Sequence, residues 1–100
     1  MGQKNCPVER TANIIDGKWT LLILRDLFES TKRFGELRAS LLGISPKTLT
    51  ERLRILEQEG IVERRIYPEV PPRVEYSLTK RGQALKPIIE GMREWGAHWG

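Results

Sequence analysis

Residues 43–60 read GISPKTLTERLRILEQEG, and no other part of the chain carries such clear signals for the start and end of a helix. The first glycine permits a tight turn, Ser45 is a preferred N-cap residue, and Pro46 suits the first helical position, where no amide donor is needed. Gly60 is a typical residue at the end of a helix. The pattern therefore predicts a helix over residues 45–59 that begins directly after a turn.

The predicted helix has one apolar and one polar face. Its leucines recur at three- and four-residue spacing, as in a helix that packs one side on a core. The apolar positions are Leu49, Leu53 and Leu56. At roughly 100° per residue, the opposite face presents Lys47, Glu51, Arg54 and Gln58, with Thr48 and Thr50 at its flanks. Such a helix would dock on a scaffold and leave a polar surface free.

Short elements surround this helix. Apolar residues between Phe34 and Leu41 recur three and four apart, which predicts a short helix just before the turn. Residues 61–67 alternate and are rich in β-formers, and residues 74–78 resemble them, so both segments are predicted strands. Three prolines within residues 68–72 make the connection between the strands stiff.

Two helices precede these elements and one follows them. Pro7 opens the first helix, and Gly17 is a natural stop for it. A strongly apolar second helix comes next, and the last helix begins after Thr79 and is bent at Pro87. The predicted fold is mainly α (α+β), with the order ααααββα in a single domain over residues 1–100.

The composition is that of an ordinary folded domain. The 100 residues suffice for one core but not for two, and 39% hydrophobic with 30% charged residues argues against disorder. No apolar run reaches the roughly 20 residues of a membrane span, and no charged-then-apolar leader opens the chain. A single cysteine cannot form an internal disulfide. We therefore expect a cytoplasmic protein that does not bind membranes.

The formal net charge of +4 is concentrated in the middle of the chain. Residues 32–81 hold eleven basic and seven acidic residues, whereas the two charges balance in each flanking segment. Basic excess confined to one region is typical of a protein that binds a polyanion. A solvated surface of mixed charge is the alternative, because an excess of +4 is modest.

Two short helices joined by a tight turn and followed by a β-hairpin make a winged helix-turn-helix. The second helix of such a pair fits the major groove of DNA. Its side chains expected at the DNA are Ser45, Lys47, Thr48, Thr50, Glu51 and Arg54. Lys47 and Arg54 would donate to guanine or phosphate, and Glu51 would accept from cytosine. The alternative is an ordinary amphipathic surface helix.

The hairpin would form the wing, residues 61–78, on the adjacent phosphate backbone or in the minor groove. A stiff connection lowers the ordering cost of binding. The basic residues expected to contact phosphates are Lys32, Arg33, Arg64, Arg65 and Arg73. Loss of the Arg73 charge should weaken binding to all sequences and flatten the salt dependence. Protection of an exposed strand edge is the alternative role of the prolines.

The last helix is too apolar for a helix that faces only solvent. The simplest partner for its stripe is a second copy, with the first and last helices exchanged across a symmetric interface. The expected interface residues are Val8, Ile88, Met92, Trp95 and Trp99. Such a homodimer would place two DNA-reading helices on half-sites about 34–36 Å apart. A monomer whose last helix covers its own core is the alternative.

Across nearly its whole length the sequence resembles the HxlR-type family of bacterial winged-helix transcription regulators. The matching residues are Cys6, Pro7, Gly17–Trp19, Leu22–Leu24, Arg33, Phe34, Glu36, Leu37, Gly43–Ser45, Lys47, Leu49, Arg52, Leu53, Leu56, Glu57, Gly60–Val62, Arg64, Gly82, Leu85, Trp95 and Gly96. The most specific match is Tyr67–Thr79, which reads YPEVPPRVEYSLT. The resemblance implies a dimeric, sequence-specific DNA-binding protein of a prokaryotic cytoplasm.

Cys6 is a candidate sensor. It stands at the start of the first predicted helix, where free amide groups and the helix dipole favour an anionic thiolate, the reactive form. Some regulators that resemble this one use an early cysteine to sense oxidants, quinones or aldehydes. Alkylation, or a disulfide across the dimer, would then shift the first helix against its partner. The alternative is a small residue kept for packing.

The sequence offers little for catalysis or cofactors. His98 is the single histidine, so neither a histidine-based metal site nor a Ser/His/Asp set is expected. Lys18 follows a glycine as in a phosphate-binding loop, but Trp19 replaces the Ser or Thr that would hold magnesium. We expect no enzyme activity, no metal and no cofactor. We expect a repressor, because blocking polymerase needs no further contacts, with an oxidant or a small molecule as candidate effector.

Two other functions are compatible with part of the pattern. A winged helix also serves as a protein-interaction module without DNA binding, since fold alone does not decide function. Such a module would expose apolar residues on the helix over residues 45–59, where this sequence places lysine, threonine and arginine. A thiol-redox carrier without gene control would need a second thiol, which the sequence lacks.

Overall fold

Helices and short strands follow one another along residues 6–100, the part of the chain that the computed structural model describes. The helices are α1 (Pro7–Ile14), α2 (Lys18–Glu29), α3 (Phe34–Ser40), α4 (Pro46–Gln58), α5 (Lys80–Gln83) and α6 (Lys86–Trp99). The strands are β1 (Lys32–Arg33), β2 (Val62–Tyr67) and β3 (Arg73–Leu78). Mainly helical structure with one small antiparallel sheet confirms the predicted fold class.

The helix α4 has the ends that its sequence predicts. Ser45 is the N-cap residue, and its Oγ accepts a hydrogen bond from the Thr48 backbone N–H at 3.1 Å. Pro46 occupies the first turn. Gly43 turns the chain ahead of the helix with a φ of 91°, a left-handed conformation that glycine adopts without strain. The prediction of a helix over residues 45–59 is confirmed to within one residue at each end.

One hydrophobic core joins α2, α3, α4, α6 and the start of the wing. Its buried side chains are Ile23, Leu24, Leu27, Leu37, Leu41, Ile44, Leu49, Leu53, Leu56, Ile61, Val62 and Ile89. The three leucines of α4 whose spacing predicts a core face are at most 2% exposed. Because these leucines lie in the core, the opposite, polar face of α4 points to solvent.

The sheet has the strand order β1-β3-β2, and both strand pairs are antiparallel. β2 and β3 form the predicted hairpin. β1 is an addition to the predicted order ααααββα. Its residues Lys32 and Arg33 pair with Tyr76 and Glu75 of β3. A strand of two residues is too short to show an alternating pattern in the sequence. Only its pairing with a distant segment therefore defines β1.

The last helical region consists of two helices rather than one bent helix. Thr79 caps the short α5, where its Oγ1 accepts a hydrogen bond from the Gly82 N–H at 3.1 Å. Pro87 lies in the first turn of α6, so it begins a helix and does not bend one. The backbone of Gly82 lies directly against the Ile61 carbonyl, which leaves no room for a side chain. This contact holds α5 against the start of the wing.

Residues 6–100 contain neither a candidate membrane-spanning helix nor a candidate cluster of metal ligands. No helix in this range is long and apolar enough to cross a membrane. In the same range, no group of three or more His, Cys, Asp and Glu side chains is arranged as metal ligands would be.

Candidate nucleic-acid interface

The polar face of α4 is free to meet a ligand. Lys47, Glu51 and Arg54 are exposed, and Thr50 is half-buried at the side where α4 approaches the sheet. Because the leucines of α4 lie in the core, this face stands at the surface in the manner of a helix that enters a DNA groove. Two cations and one acid give the face both donors and an acceptor for base edges.

Ser45 and Thr48 differ from the rest of this face because they already bond to each other. The Ser45 hydroxyl accepts from the Thr48 backbone and donates to Thr48 Oγ1 at 3.0 Å. A DNA contact by Ser45 would therefore use an oxygen that also caps α4. The DNA contacts of Ser45 and Thr48 stay predictions. The observed role of this pair is to start the helix.

The register of the sheet divides the predicted phosphate contacts between two faces. Directly opposed residues on antiparallel strands point to the same side of a sheet. Arg64 of β2 and Lys32 of β1 both oppose Tyr76, so these three side chains share one face. Val62 lies on the same face and is buried against the helices. Lys32 and Arg64 therefore belong to the face that adjoins α4.

The other three cations lie on the opposite face. Arg33 and Arg65 both oppose Glu75, and Arg73 shares their side of the sheet. The Arg65 guanidinium lies 3.5 Å from a Glu63 carboxylate oxygen. This face is turned away from α4, so a DNA duplex seated on α4 meets these cations only around the edge of the wing.

The two residues of β1 also have contacts of their own. Lys32 Nζ lies 3.5 Å from a Glu29 carboxylate oxygen. The Arg33 backbone N–H donates to Glu36 Oε1 at 2.8 Å, which ties the strand to the first turn of α3, while the Arg33 side chain is exposed. The structure thus leaves the Arg33 charge available at the surface, and its phosphate contact stays a prediction.

Arg73 is held by contacts within the wing. Its guanidinium lies 3.1 Å from a Glu69 carboxylate oxygen and 3.4 Å from one of Glu75. It also stacks over the Tyr67 ring, 4.0 Å from the ring centroid. Two carboxylates compensate this cation, so the phosphate contact predicted for Arg73 would require it to leave them. The observed contacts make Arg73 a support of the wing, and its DNA contact stays a prediction.

A small cleft separates α4 from the sheet. Its walls are Thr50, Leu53, Arg54, Glu57, Arg64 and Tyr76. Arg64 Nε lies 3.4 Å from Glu57 Oε2, and this ion pair joins the wing to α4. Burial raises the pKa of the Tyr76 phenol, while the Arg64 and Arg54 guanidinium groups act in the opposite direction. Tyr76 therefore remains a protonated, neutral hydrogen-bond donor well above neutral pH.

Sequence reasoning missed Glu57 and Tyr76 as members of this region. Glu57 lies between the apolar and the polar face of α4, and nothing in the sequence pairs it with Arg64. Tyr76 becomes a neighbour of Arg64 only through the strand register. The pairing of Arg73 with an acid could have been predicted from the sequence, because Glu75 is two residues away and lies on the same face as Arg73 in any strand.

The terminal helices expose apolar side chains. No residue of α1 is buried, and Ile89 is the one buried residue of α6. The five residues expected at a dimer interface are 40% to 77% exposed: Val8, Ile88, Met92, Trp95 and Trp99. Val8 and Ile88 line an apolar groove between α1 and α6. The exposure of this stripe suits an interface, and the dimer itself stays a prediction.

Cys6 is the N-cap residue of α1, as its sequence predicts, and it is half-buried. Its side chain makes no capping hydrogen bond to the helix. Pro7, the next residue, lines the apolar groove between α1 and α6. Cys6 is therefore the neighbour in sequence of a residue on the surface where a second protomer is expected.

The family model described as HxlR-like helix-turn-helix matches residues 14–100. The chain belongs to this family. Among the relatives of this HxlR-like chain, the uncharacterized HTH-type transcriptional regulator sll1512 of Synechocystis sp. is 49% identical over 94 residues, which cover 94% of this chain and 70% of the relative. The uncharacterized HTH-type regulator YdeP of Bacillus subtilis is 46% identical over 93 residues, covering 93% of this chain and 73% of YdeP. These matches confirm the resemblance and identify an HTH-type transcriptional regulator.

Solved structures share the HxlR-like fold at high sequence identity. The redox regulator HypR in its reduced form has a TM-score of 0.89 and 46% identity, covering 92% of this chain and 91% of HypR. A chain from Porphyromonas gingivalis W83, described as a transcriptional regulator of the MarR family, has a TM-score of 0.94 and 41% identity, covering 100% of this chain and 98% of its own. The winged-helix architecture is therefore confirmed.

Proposed function

We propose that this HxlR-like regulator is a dimeric repressor that binds a specific double-stranded DNA operator through α4 and the wing. The observation that carries the proposal is the polar face of α4, where Lys47, Glu51 and Arg54 are exposed on a helix whose other side lies in the core. A helix held in this way keeps donors and acceptors at defined positions against base edges in the major groove. Occupation of the operator is then sufficient to block polymerase.

In this proposal α4 reads bases and the wing contacts phosphates. Lys32 and Arg64 share the sheet face that adjoins α4, which favours contacts with the backbone of the same duplex. Arg33 and Arg65 would reach phosphates farther along the wing. The basic excess of residues 32–81 supplies an attraction that does not depend on sequence. The proposed location is the cytoplasm of a prokaryotic cell, which the relatives from Synechocystis sp. and Bacillus subtilis support.

The proposed dimer uses α1 and α6. Trp95 and Trp99 are 63% and 76% exposed, and an apolar patch with two such side chains is typical of an interface. The Cα radius of gyration is 14.6 Å, compared with roughly 13 Å for a compact domain of this length. Part of the chain therefore extends beyond the core. A second copy that packs its α1 and α6 against this apolar patch would cover the exposed side chains.

Fluorescence anisotropy tests the proposed DNA partner. The labelled duplex comes from directly upstream of the protein's own gene, at physiological salt and with excess scrambled DNA. We expect the upstream duplex to bind tighter than the scrambled one by a factor of about 10³ or more. Lys47→Ala should lose about 1–3 kcal/mol of affinity for the upstream duplex, whereas Lys80→Ala, at an exposed lysine of α5, should bind nearly as the wild type does. Equal binding to both duplexes would contradict specificity, and no binding to either would contradict DNA as the partner.

We infer a thiol switch at Cys6 as a second function of the same regulator. Two observations favour it: the half-buried thiol stands at the start of a helix with no buried residue, and the chain is similar to the redox regulator HypR. A diazene oxidant such as diamide would take two electrons and two protons from two thiols and leave their sulfur atoms joined. Because each chain has one cysteine, this disulfide must link Cys6 to its copy in the partner or to a small thiol. The bond would shift α1 and change the spacing of the two α4 helices.

The switch is tested with Cys6→Ser. Diamide should release the wild-type protein from DNA and give a band of doubled mass on a non-reducing gel, and dithiothreitol should reverse both effects. Cys6→Ser should stay bound at every diamide concentration. Ser40→Ala, an exposed change that keeps the thiol, is the control and should respond as the wild type does. Release of Cys6→Ser by diamide would exclude Cys6 as the sensor.

A further inference from the structure

The cleft between α4 and the wing holds one acid among several donors. The guanidinium and hydroxyl donors in its walls come from Arg54, Arg64, Thr50 and Tyr76. The single carboxylate in the lining is Glu57. The cleft volume is about 100 Å³, which is roughly the volume of three water molecules in the liquid. This composition and size suit one small anion that enters from the side of the DNA.

We propose that the cleft binds one backbone phosphate of the DNA, and that Glu57 takes the place of that phosphate in the free protein by pairing with Arg64. The inference rests on the proposed function, because it names the ligand of a group within the same interface. Glu57 is then an internal competitor. Its carboxylate accepts from the guanidinium as a phosphate oxygen would, and it must withdraw when DNA enters.

The exposure of the ion pair makes this exchange easy. The Arg64 and Glu57 side chains are 46% and 35% exposed, and Arg64 Nε lies 3.4 Å from Glu57 Oε2. An ion pair this exposed contributes little to stability. A phosphate oxygen accepts short, charge-assisted hydrogen bonds and commonly takes two from one guanidinium. The phosphate is therefore the stronger partner for Arg64.

Tyr76 and Arg54 extend the site beyond a single arginine. Arg54, Arg64 and Tyr76 line the same cleft, and the two guanidinium charges act against the burial that raises the pKa of the Tyr76 phenol. Tyr76 belongs to β3 and Arg54 to α4. A phosphate bound here would accept hydrogen bonds from the sheet and from the helix together, so it would hold the wing at a defined angle to α4.

The competitor has a consequence for DNA binding. Glu57 opposes every phosphate backbone equally, whatever the base sequence, because phosphates carry no direct sequence information. It should therefore weaken specific and non-specific binding by the same factor. The ratio between operator and other DNA would be unchanged, while release from both would be faster.

Glu57→Gln tests the inference, since it keeps the shape of the side chain and removes its charge. The probe is a fluorescein-labelled duplex of scrambled sequence, titrated in salt from about 50 to about 200 mM. We expect Glu57→Gln to bind it about three- to tenfold tighter, with a slope of log K on log salt steeper by about 0.9, because Arg64 then meets the phosphate as an uncompensated cation. Arg64→Ala should bind more weakly, and Glu57→Gln should have no effect when combined with Arg64→Ala.

Glu63→Gln is the matched control. Glu63 also pairs with an arginine of β2, Arg65, at 3.5 Å, but it lies on the sheet face turned away from α4. Its substitution changes the net charge by the same amount, and we expect less than about a twofold change in affinity. Thermal unfolding verifies that each variant is folded, and Glu57→Ala repeats the measurement should the glutamine variant not fold.

The outcomes separate the two proposals. If the wild type binds DNA but removal of the Glu57 charge does not tighten binding, the ion pair is only a structural link and the inference is wrong, while the proposed function stands. The same holds if Glu63→Gln tightens binding as much as Glu57→Gln. If neither the scrambled nor the upstream duplex binds any variant, the proposed function fails and the inference fails with it.

Discussion

Ser45 is a residue with an observed role in the fold and a predicted role at the DNA. Its hydroxyl oxygen accepts a hydrogen bond from the Thr48 backbone N–H at 3.1 Å, and its O–H donates to Thr48 Oγ1 at 3.0 Å. The cap fixes the residue at which α4 begins. Because Lys47 lies in the first turn, its position on the helix depends on that start. A side chain expected at the DNA thus owes its position to a hydrogen bond formed within four residues.

Ser45→Ala should destabilise the protein by about 1 kcal/mol, because the amide groups at the start of α4 lose their side-chain acceptor. Urea unfolding measures this as a lower midpoint with an unchanged slope. Ser40→Ala is the control, at an exposed serine outside α4, and should change stability by no more than about 0.5 kcal/mol. Equal stability of the two variants would show that the cap contributes nothing.

Among the elements, the wing departs most from what its sequence indicates. Basic residues that stand close together along the chain lie on two faces of the sheet, because neighbouring strand positions alternate. The tip carries Val70, which is fully exposed, and the Arg73 cation lies next to the tip, at the start of β3, between two carboxylates. The wing is therefore stiff and apolar at its tip, and its available charge lies nearer to α4.

Arg73→Ala separates the two roles of this arginine. The sequence predicts weaker binding to all DNA and a flatter salt dependence. Compensation by Glu69 and Glu75 changes the expected result: affinity should fall because the wing loses its support, while the salt slope stays nearly unchanged. Loss of the ion pairs and of the stacking on Tyr67 should also lower stability by about 1 kcal/mol. A slope reduced by about 0.9 would instead establish a direct phosphate contact.

At the scale of the whole molecule, the terminal helices would determine, in the proposed dimer, how the two copies of α4 are presented to DNA. α6 has fourteen residues and one buried side chain, so most of its apolar area has no partner within one protomer. A symmetric dimer through this area would provide two copies of α4 in a fixed relation. A DNA operator with two half-sites would then match the symmetry of the protein.

Trp95→Asp should convert the dimer to a monomer, because a carboxylate cannot be buried without a partner at the centre of an apolar interface. Sedimentation at micromolar concentration should give twice 11.6 kDa for the wild type and 11.6 kDa for the variant. Glu94→Gln, an exposed neighbour on the other side of α6, should remain dimeric. A wild-type mass of 11.6 kDa would contradict the proposed interface.

Several features of this protein are determined by short stretches of its sequence. The start and end of α4 follow from Ser45, Pro46 and Gly60, and the buried leucines follow from their spacing. The hairpin follows from two β-rich segments around the prolines. These features depend on caps, periodicity and turns, which act over a few residues and leave their signal in the local sequence.

The arrangement of the candidate site depends on contacts between segments that are far apart. Lys32 joins the sheet only by pairing with Tyr76, and the same register places Arg64 beside Tyr76 and near Glu57. A shift of one residue would turn each of these side chains to the other face, and only the burial of the sheet on the helices excludes that shift. Local sequence therefore indicates which side chains are charged, while the packing of distant segments decides which of them face the same ligand.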